Sequence, residues 1–243
     1  MNTSSKMLAT DMDGTVIPME VTSRRSEEIA DFKRTVSRSQ DLVLAYVTGR
    51  DLTLALKGIR QHSLPTPDIL VCDVGTSVYH GAASGFLKDE EYVKLMKEAR
   101  GGLDVREVRH KLARVPELKL QPDDRQTAAK LSYHLPPESD HESILASVEE
   151  VLAGLGGKLQ AVYSVGAPHG TGLLDLLPAG VAKDFAVKYL QEFTGLHEEN
   201  LVYAGDSGND LAAMLAGFNV VVVGNATPGL KEQLNRKGME LGI

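Results

Sequence analysis

Short, dense runs of apolar residues alternate along this chain with longer stretches in which apolar positions recur every three or four residues. Lys6–Thr10 reads as a buried strand, and residues 26–38 as a helix with Ile29, Phe32 and Val36 along one stripe. Leu42–Val47 is apolar enough to be covered on both faces, the signature of a strand inside a parallel sheet. Residues 51–61 read as a helix opened by Asp51 as N-cap, and residues 69–74 as a third strand.

The pattern changes near Tyr79. The chain becomes more polar up to about Ser164 and carries glycine pairs at Gly101-Gly102 and Gly156-Gly157. Residues 127–135 alternate, with Leu131, Tyr133 and Leu135 on one face and Lys130, Ser132 and His134 on the other. That predicts a sheet with one wet or ligand-facing side. Ser139 followed three residues later by Glu142 has the form of a capping box. The helix it opens carries Ile144, Leu145, Val148, Leu152 and Leu155 on one stripe and ends at Gly156. Residues 159–164 read as another strand.

The first pattern then returns: strand 173–177, helix 181–193, strand 201–204, helix from 209, strand 219–223 and helix 228–235. The expected fold is therefore α/β. A Rossmann-like parallel-sheet core is built from residues 1–79 and 171–243 and interrupted by a smaller α+β insert over residues 80–170. No internal repeat or low-complexity segment is visible.

Composition narrows the function classes. With 243 residues the chain can bury a core without staples. A formal net charge of −7 argues against a general nucleic-acid binder. The single cysteine, Cys72, rules out an internal disulfide and suits a reducing cytoplasm. No apolar run is long enough for a membrane span, and the N-terminal residues do not form a signal peptide. The oligomeric state is open, with a monomer compatible with these features.

The polar residues with chemistry cluster where the predicted strands end. Ligands of open parallel sheets bind beyond the carboxyl ends of the strands. Asp11 and Asp13 follow the first strand, Thr48, Gly49 and Arg50 the second, and Asp206, Asn209 and Asp210 a C-terminal strand. In extended chain, residues i and i+2 point the same way, so Asp11 and Asp13 would share a face with Met12 turned inward. Two unpaired carboxylates that close ask for a cation or a shared proton.

Cleaving a phosphate monoester through a covalent intermediate needs one carboxylate to attack and a second to move protons, and Asp11 and Asp13 offer such a pair. A hard cation such as Mg²⁺ would be held by Asp11, Asp206 and the backbone carbonyl of Asp13. Lys183, at the start of its predicted helix, faces the strand ends, whereas Lys188 falls on a solvated side. Thr48 would donate its hydroxyl to a phosphoryl oxygen, with the Gly49 amide beside it. The acidic loop from Gly205 to Asp210 lacks the glutamate that would make it a calcium loop.

Asp11-Met12-Asp13-Gly14-Thr15, Val47-Thr48-Gly49-Arg50, Lys183 and Gly205-Asp206-Ser207-Gly208-Asn209-Asp210 resemble, in order, the four motifs of the haloacid dehalogenase superfamily of phosphatases. The resemblance implies Asp11 as nucleophile, Asp13 as general acid/base, and Thr48 and Lys183 as phosphate binders, with Gly49 and Arg50 in the same phosphate-binding turn. It implies Asp206 as the Mg²⁺ carboxylate, supported by Asn209 and Asp210. An insert between the second and third motifs resembles the type-IIB cap group. Within that group, Val74-Gly75-Thr76, the stretch from Lys130 to Leu135, and Asp175-Leu176-Leu177-Pro178 resemble sucrose-phosphate phosphatases and related sugar-phosphate phosphatases.

The implied activity is Mg²⁺-dependent hydrolysis of a small phosphorylated sugar through an aspartyl-phosphate, with the cap setting selectivity. Lys130 and His134 are candidates for sugar contact, and His169 is either a substrate contact or plain loop. A phosphohexomutase of the same superfamily and a non-catalytic binding module on the same fold are the alternatives.

Overall fold

The computed structural model describes residues 6–18, 23–156, 158–166 and 171–239. They form two compact units, one from Met1–Asp89 with Ala182–Ile243, the other from Glu90–Val181.

The first unit is organised by a seven-stranded sheet. Its strands are β1 (Lys6–Thr10), β2 (Leu42–Val47), β3 (Ile69–Cys72), β4 (Ser77–Ala82), β5 (Gly85–Lys88), β10 (Leu201–Gly205) and β11 (Asn219–Val222). Their spatial order is β11-β10-β1-β2-β3-β4-β5. The first five run parallel, and β4 and β5 close the sheet as an antiparallel hairpin. Helices α1 (Ser23–Arg38) and α2 (Leu52–Gln61) link the parallel strands, and α6 (Lys183–Thr194), α7 (Leu211–Met214) and α8 (Pro228–Arg236) complete the unit. Met12, Leu44, Tyr46, Ala55, Ile59 and Leu70 form one core cluster, and Ile29, Phe32 and Val36 of α1 pack on it as their spacing predicts. Asp51 caps α2, its carboxylate accepting from the Leu54 amide.

The second unit holds α3 (Glu90–Ala99), α4 (Val105–Leu112), α5 (His141–Ala153) and a four-stranded antiparallel sheet. Its strands are β6 (Lys119–Leu120), β7 (Leu131–Leu135), β8 (Leu159–Gly166) and β9 (Thr171–Pro178), in the order β6-β7-β9-β8. Leu131, Tyr133 and Leu135 pack with Ile144, Val148 and Leu152 of α5. Among the described residues, no helix is long and apolar enough to cross a membrane.

Several local expectations change. The strand over residues 173–177, grouped with the core by its apolar pattern, pairs with β7 and β8 in the smaller sheet. The third strand stops at Cys72, because Asp73 and Val74 turn into the left-handed region. The cap of α5 is Asp140, whose carboxylate accepts from the Ser143 amide, while the Ser139 hydroxyl donates to the Pro136 carbonyl. The same helix ends at Ala153, short of Gly156. The helix expected from Asn209 begins as a 3-10 turn, Gly208–Asp210.

Candidate active site

Strand register sets the site. Thr10 pairs with Tyr46 on one side and Ala204 on the other. The residues that follow these strands, Asp11, Thr48 and Asp206, therefore emerge along one edge of the sheet, as parallel topology demands. The Asp11 amide donates to the Ala204 carbonyl at 2.9 Å, which ties the end of β1 to β10.

The chain turns immediately after Thr10. The Ile17 amide donates to the Met12 carbonyl at 2.7 Å and the Gly14 amide to the Ile17 carbonyl at 2.8 Å, closing a tight loop. Gly14 adopts φ +82°, and a Cβ there would lie 2.4 Å from Asp206 Oδ2, so only glycine lets this loop approach Asp206. Thr15 Oγ1 donates to Asp206 Oδ1 at 3.3 Å, and Asn225 Nδ2 donates to the Gly14 carbonyl at 2.6 Å.

The strand ends at Thr10, so alternation no longer fixes where Asp11 and Asp13 point, while Met12 between them is buried as expected. Each carboxylate has its own cation. Asp11, 4% exposed, lies 2.9 Å from Lys183 Nζ. Asp13 is half exposed and receives two bonds from Arg50, Nε to Oδ2 at 2.7 Å and Nη2 to Oδ1 at 2.5 Å. Arg50, expected in the phosphate-binding turn, pairs its guanidinium with Asp13.

Lys183 is the first residue of α6 and is fully buried. Its ammonium donates to Asp210 Oδ1 at 2.7 Å and to Asn209 Oδ1 at 3.2 Å. Burial disfavours the charge, but Asp11 and Asp210 outweigh it and hold the ammonium above its usual range. Asp210 is also fully buried. Its Oδ1 accepts from Tyr203 Oη at 2.7 Å, and its Oδ2 accepts from the Asp206 and Ser207 amides, both at 3.2 Å. It thus caps its own turn and clamps Lys183.

Ligand oxygens of Asp11, Asp206 and Asp210 all lie within 4.8 Å of one another. Three carboxylates and one ammonium leave two formal negative charges. Burial pushes Asp11 up to about 8, Lys183 opposing and Asp210 reinforcing. Burial, then Asp210, raises Asp206 as well. Carboxylates that resist ionisation when alone, grouped as hard oxygen donors, fit a divalent cation whose charge would restore them. The cluster can coordinate a divalent metal ion.

Thr48 is fully buried. Its Oγ1 accepts the Arg50 amide at 3.2 Å, which leaves the hydroxyl proton to donate. Gly49 lies beside Val74.

Lys130 and His134 belong to the second unit. The face they share with Ser132, expected to be wet or ligand-facing, is not wet: Lys130 is 6% exposed and Ser132 is fully buried. Ser132 Oγ donates to Asp175 Oδ1 at 2.5 Å, and Lys130 Nζ lies 3.7 Å from the same oxygen. His134 Nδ1 is buried and has no hydrogen-bond partner among the described residues. His169 lies outside the described residues.

Sequence reasoning missed Tyr203, Thr15 and Asn225. Tyr203 alternates along β10 like any core residue, so nothing local marks it. Thr15 stood inside a recognised motif, and only its contact with Asp206 reveals what it does.

The family model for sucrose-6F-phosphate phosphohydrolase matches residues 4–240. Among solved structures, the sucrose-phosphatase of Synechocystis, in complex with sucrose and phosphate, superposes with a TM-score of 0.79 at 26% identity, over 97% of this chain and 89% of that one. The mannosylfructose-phosphate phosphatase of Agrobacterium fabrum is 29% identical over 93% of this chain and 85% of that protein. A protein of Nitrosococcus oceani, named only at the level of a HAD-like hydrolase, is 30% identical over 95% of this chain. The chain spans 62% of that protein's length, and 27% and 38% of two further curated relatives. The chain belongs to the sucrose-6F-phosphate phosphohydrolase family, within the HAD superfamily of phosphatases.

Proposed function

We propose that this protein is a Mg²⁺-dependent phosphatase that hydrolyses a phosphorylated sugar, with sucrose-phosphate-like glycosyl phosphates as the leading class, through an aspartyl-phosphate on Asp11. One observation carries the reading: Asp11 is buried at a strand end between Lys183, 2.9 Å away, and the Asp206 carboxylate.

In the first half-reaction an Asp11 oxygen attacks phosphorus while the bond to the sugar oxygen breaks, and Asp13 gives that oxygen a proton. In the second, Asp13 takes a proton from water, whose oxygen attacks phosphorus. Inorganic phosphate leaves and the Asp11 carboxylate returns. Lys183 and the Thr48 hydroxyl hold phosphoryl oxygens as charge builds on them. Arg50 fixes the direction of Asp13. Asp11 and Asp206, with the Asp13 carbonyl, would hold Mg²⁺, and Asp210 and Asn209 keep that loop and Lys183 in register. When bound, the ion neutralises the approaching anions and polarises the phosphoryl group.

The second unit is assigned the role of cap and sugar selector, through Lys130 and His134. The lone, buried Cys72 fits a cytoplasmic enzyme.

A panel of phosphorylated mono- and disaccharides, assayed for inorganic phosphate with Mg²⁺ and with chelator, tests the reading. Metal-dependent release from a glycosyl phosphate is expected. Isomer formation without phosphate release would make it a mutase, and silence across the panel would remove the catalytic reading.

A further inference from the structure

After β3 the backbone enters the left-handed region at three successive residues, Asp73 at φ 54°, Val74 at φ 59° and Gly75 at φ 95°. Asparagine, aspartate and glycine tolerate this region, but a β-branched valine is an outlier there. Strained backbone persists where its surroundings over-determine it. Here the surroundings are two segments of the phosphate-handling site.

The turn grips the Thr48 loop by its own amides. Asp73 N donates to the Arg50 carbonyl at 2.9 Å, and Val74 N donates to the Thr48 carbonyl at 3.1 Å. The Val74 side chain is 4% exposed and is the nearest group to the empty face of Gly49. Thr76 closes the turn, its amide and its hydroxyl both donating to the Asp73 carbonyl.

The other side of the turn meets the start of α6. A Cβ on Gly75 would lie 2.4 Å from the Ala182 carbonyl oxygen and 3.0 Å from the Lys183 amide nitrogen. The N-cap of α6 is Ala182, which has no side chain to cap the helix. The first turn of α6, which carries Lys183, is therefore located by backbone contact with Gly75 rather than by a cap of its own.

We propose that Val74 and Gly75 are positioning residues that set the distance between Thr48 and Lys183, so that one strained turn aligns both phosphoryl-holding groups. The proposal rests on the phosphate-handling role assigned to those two residues. The contacts of this turn go to the Thr48 loop and to the start of α6, so the proposal assigns it to the anion rather than to the metal.

The test compares wild type with Gly75→Ala and Val74→Gly. It reads inorganic phosphate affinity by calorimetry in Mg²⁺, kcat and KM on the sugar phosphate found by the panel, Mg²⁺ half-saturation and thermal midpoint. Gly75→Ala should lower phosphate affinity and kcat tenfold or more while Mg²⁺ half-saturation stays within threefold. Val74→Gly lets the turn relax and does not depend on Gly75→Ala folding. It should lower phosphate affinity and kcat threefold or more, with a thermal midpoint equal to or above that of wild type. Phosphate affinity and kcat unchanged in Val74→Gly, or in a folded Gly75→Ala, would overturn the proposal. So would a loss of Mg²⁺ affinity as large as the loss of phosphate affinity. A wild type that binds phosphate but releases none from any sugar phosphate overturns the phosphatase reading alone, and the binding series still decides this one.

Discussion

Arg50 grips Asp13 through two parallel N–H···O bonds, while its third nitrogen, Nη1, donates to the Leu54 carbonyl in α2 at 3.1 Å. A planar fork held at both ends fixes a carboxylate's direction as well as its position, which a lysine ammonium cannot do. Arg50→Lys and Arg50→Ala should each lower kcat on a sugar phosphate by about 10²-fold, the usual scale of general acid–base catalysis. An aryl phosphate, whose leaving group needs no proton, should lose much less. Parallel steady-state assays check this, and equal losses on both substrates would contradict it.

Lys183 is the only cation within hydrogen-bonding distance of both Asp11 and Asp210 among the described residues, and Lys183 and Asp210 are fully buried. Lys183→Met strands two buried carboxylates. Removing one partner of a buried ion pair costs about 3–5 kcal/mol. Urea unfolding in chelator should show a loss of that order together with loss of turnover. A loss under about 1 kcal/mol would mean that the ammonium does not hold the cluster together.

Asp11 sets a pH dependence in the metal-free protein. Burial, the leading cause, holds its folded pKa at about 8, above the ordinary carboxylate value of 3.8. Between those values the folded state binds the extra proton, so stability is greatest below about pH 4 for this group and falls as pH rises toward 8. Calorimetry in chelator should show this component, and added Mg²⁺ should raise the melting temperature more at pH 8 than at pH 5. A Mg²⁺-induced rise that does not grow with pH would exclude Asp11 as the titrating ligand.

The Tyr203 hydroxyl donates a hydrogen bond to Asp210 inside the core. Tyr203→Phe removes one donor from a buried carboxylate, at a cost of about 1–3 kcal/mol. Denaturation curves measure it. A shift within error would leave Tyr203 as a packing residue only.

The parallel half of the fold and most of the site were legible in the sequence for one physical reason. A strand buried on both faces is a dense apolar run, and its carboxyl end is where polar residues must appear if a ligand binds there. Asp11, Thr48 and Asp206 were found that way, and Lys183 was found by its place at a helix start. Relations that depend on which distant segments meet were not legible. The apolar pattern of Thr171–Pro178 is the same whether the strand joins the larger sheet or, as observed, β7 and β8. Alternation predicted a common face for Asp11 and Asp13, but the strand ends at Thr10 and each carboxylate has its own cation. Ser139 and Asp140 both carry capping chemistry, and only the reach of Asp140 to the Ser143 amide chooses between them.

The nucleophile is the most direct point of attack on the whole account. Asp11→Asn keeps the size of the side chain and removes the attacking charge. Inorganic phosphate release from the best sugar phosphate of the panel, measured in Mg²⁺, should fall below detection in this variant while its circular dichroism spectrum matches wild type. Turnover near the wild-type rate would contradict an aspartyl-phosphate on Asp11 and the function built on it.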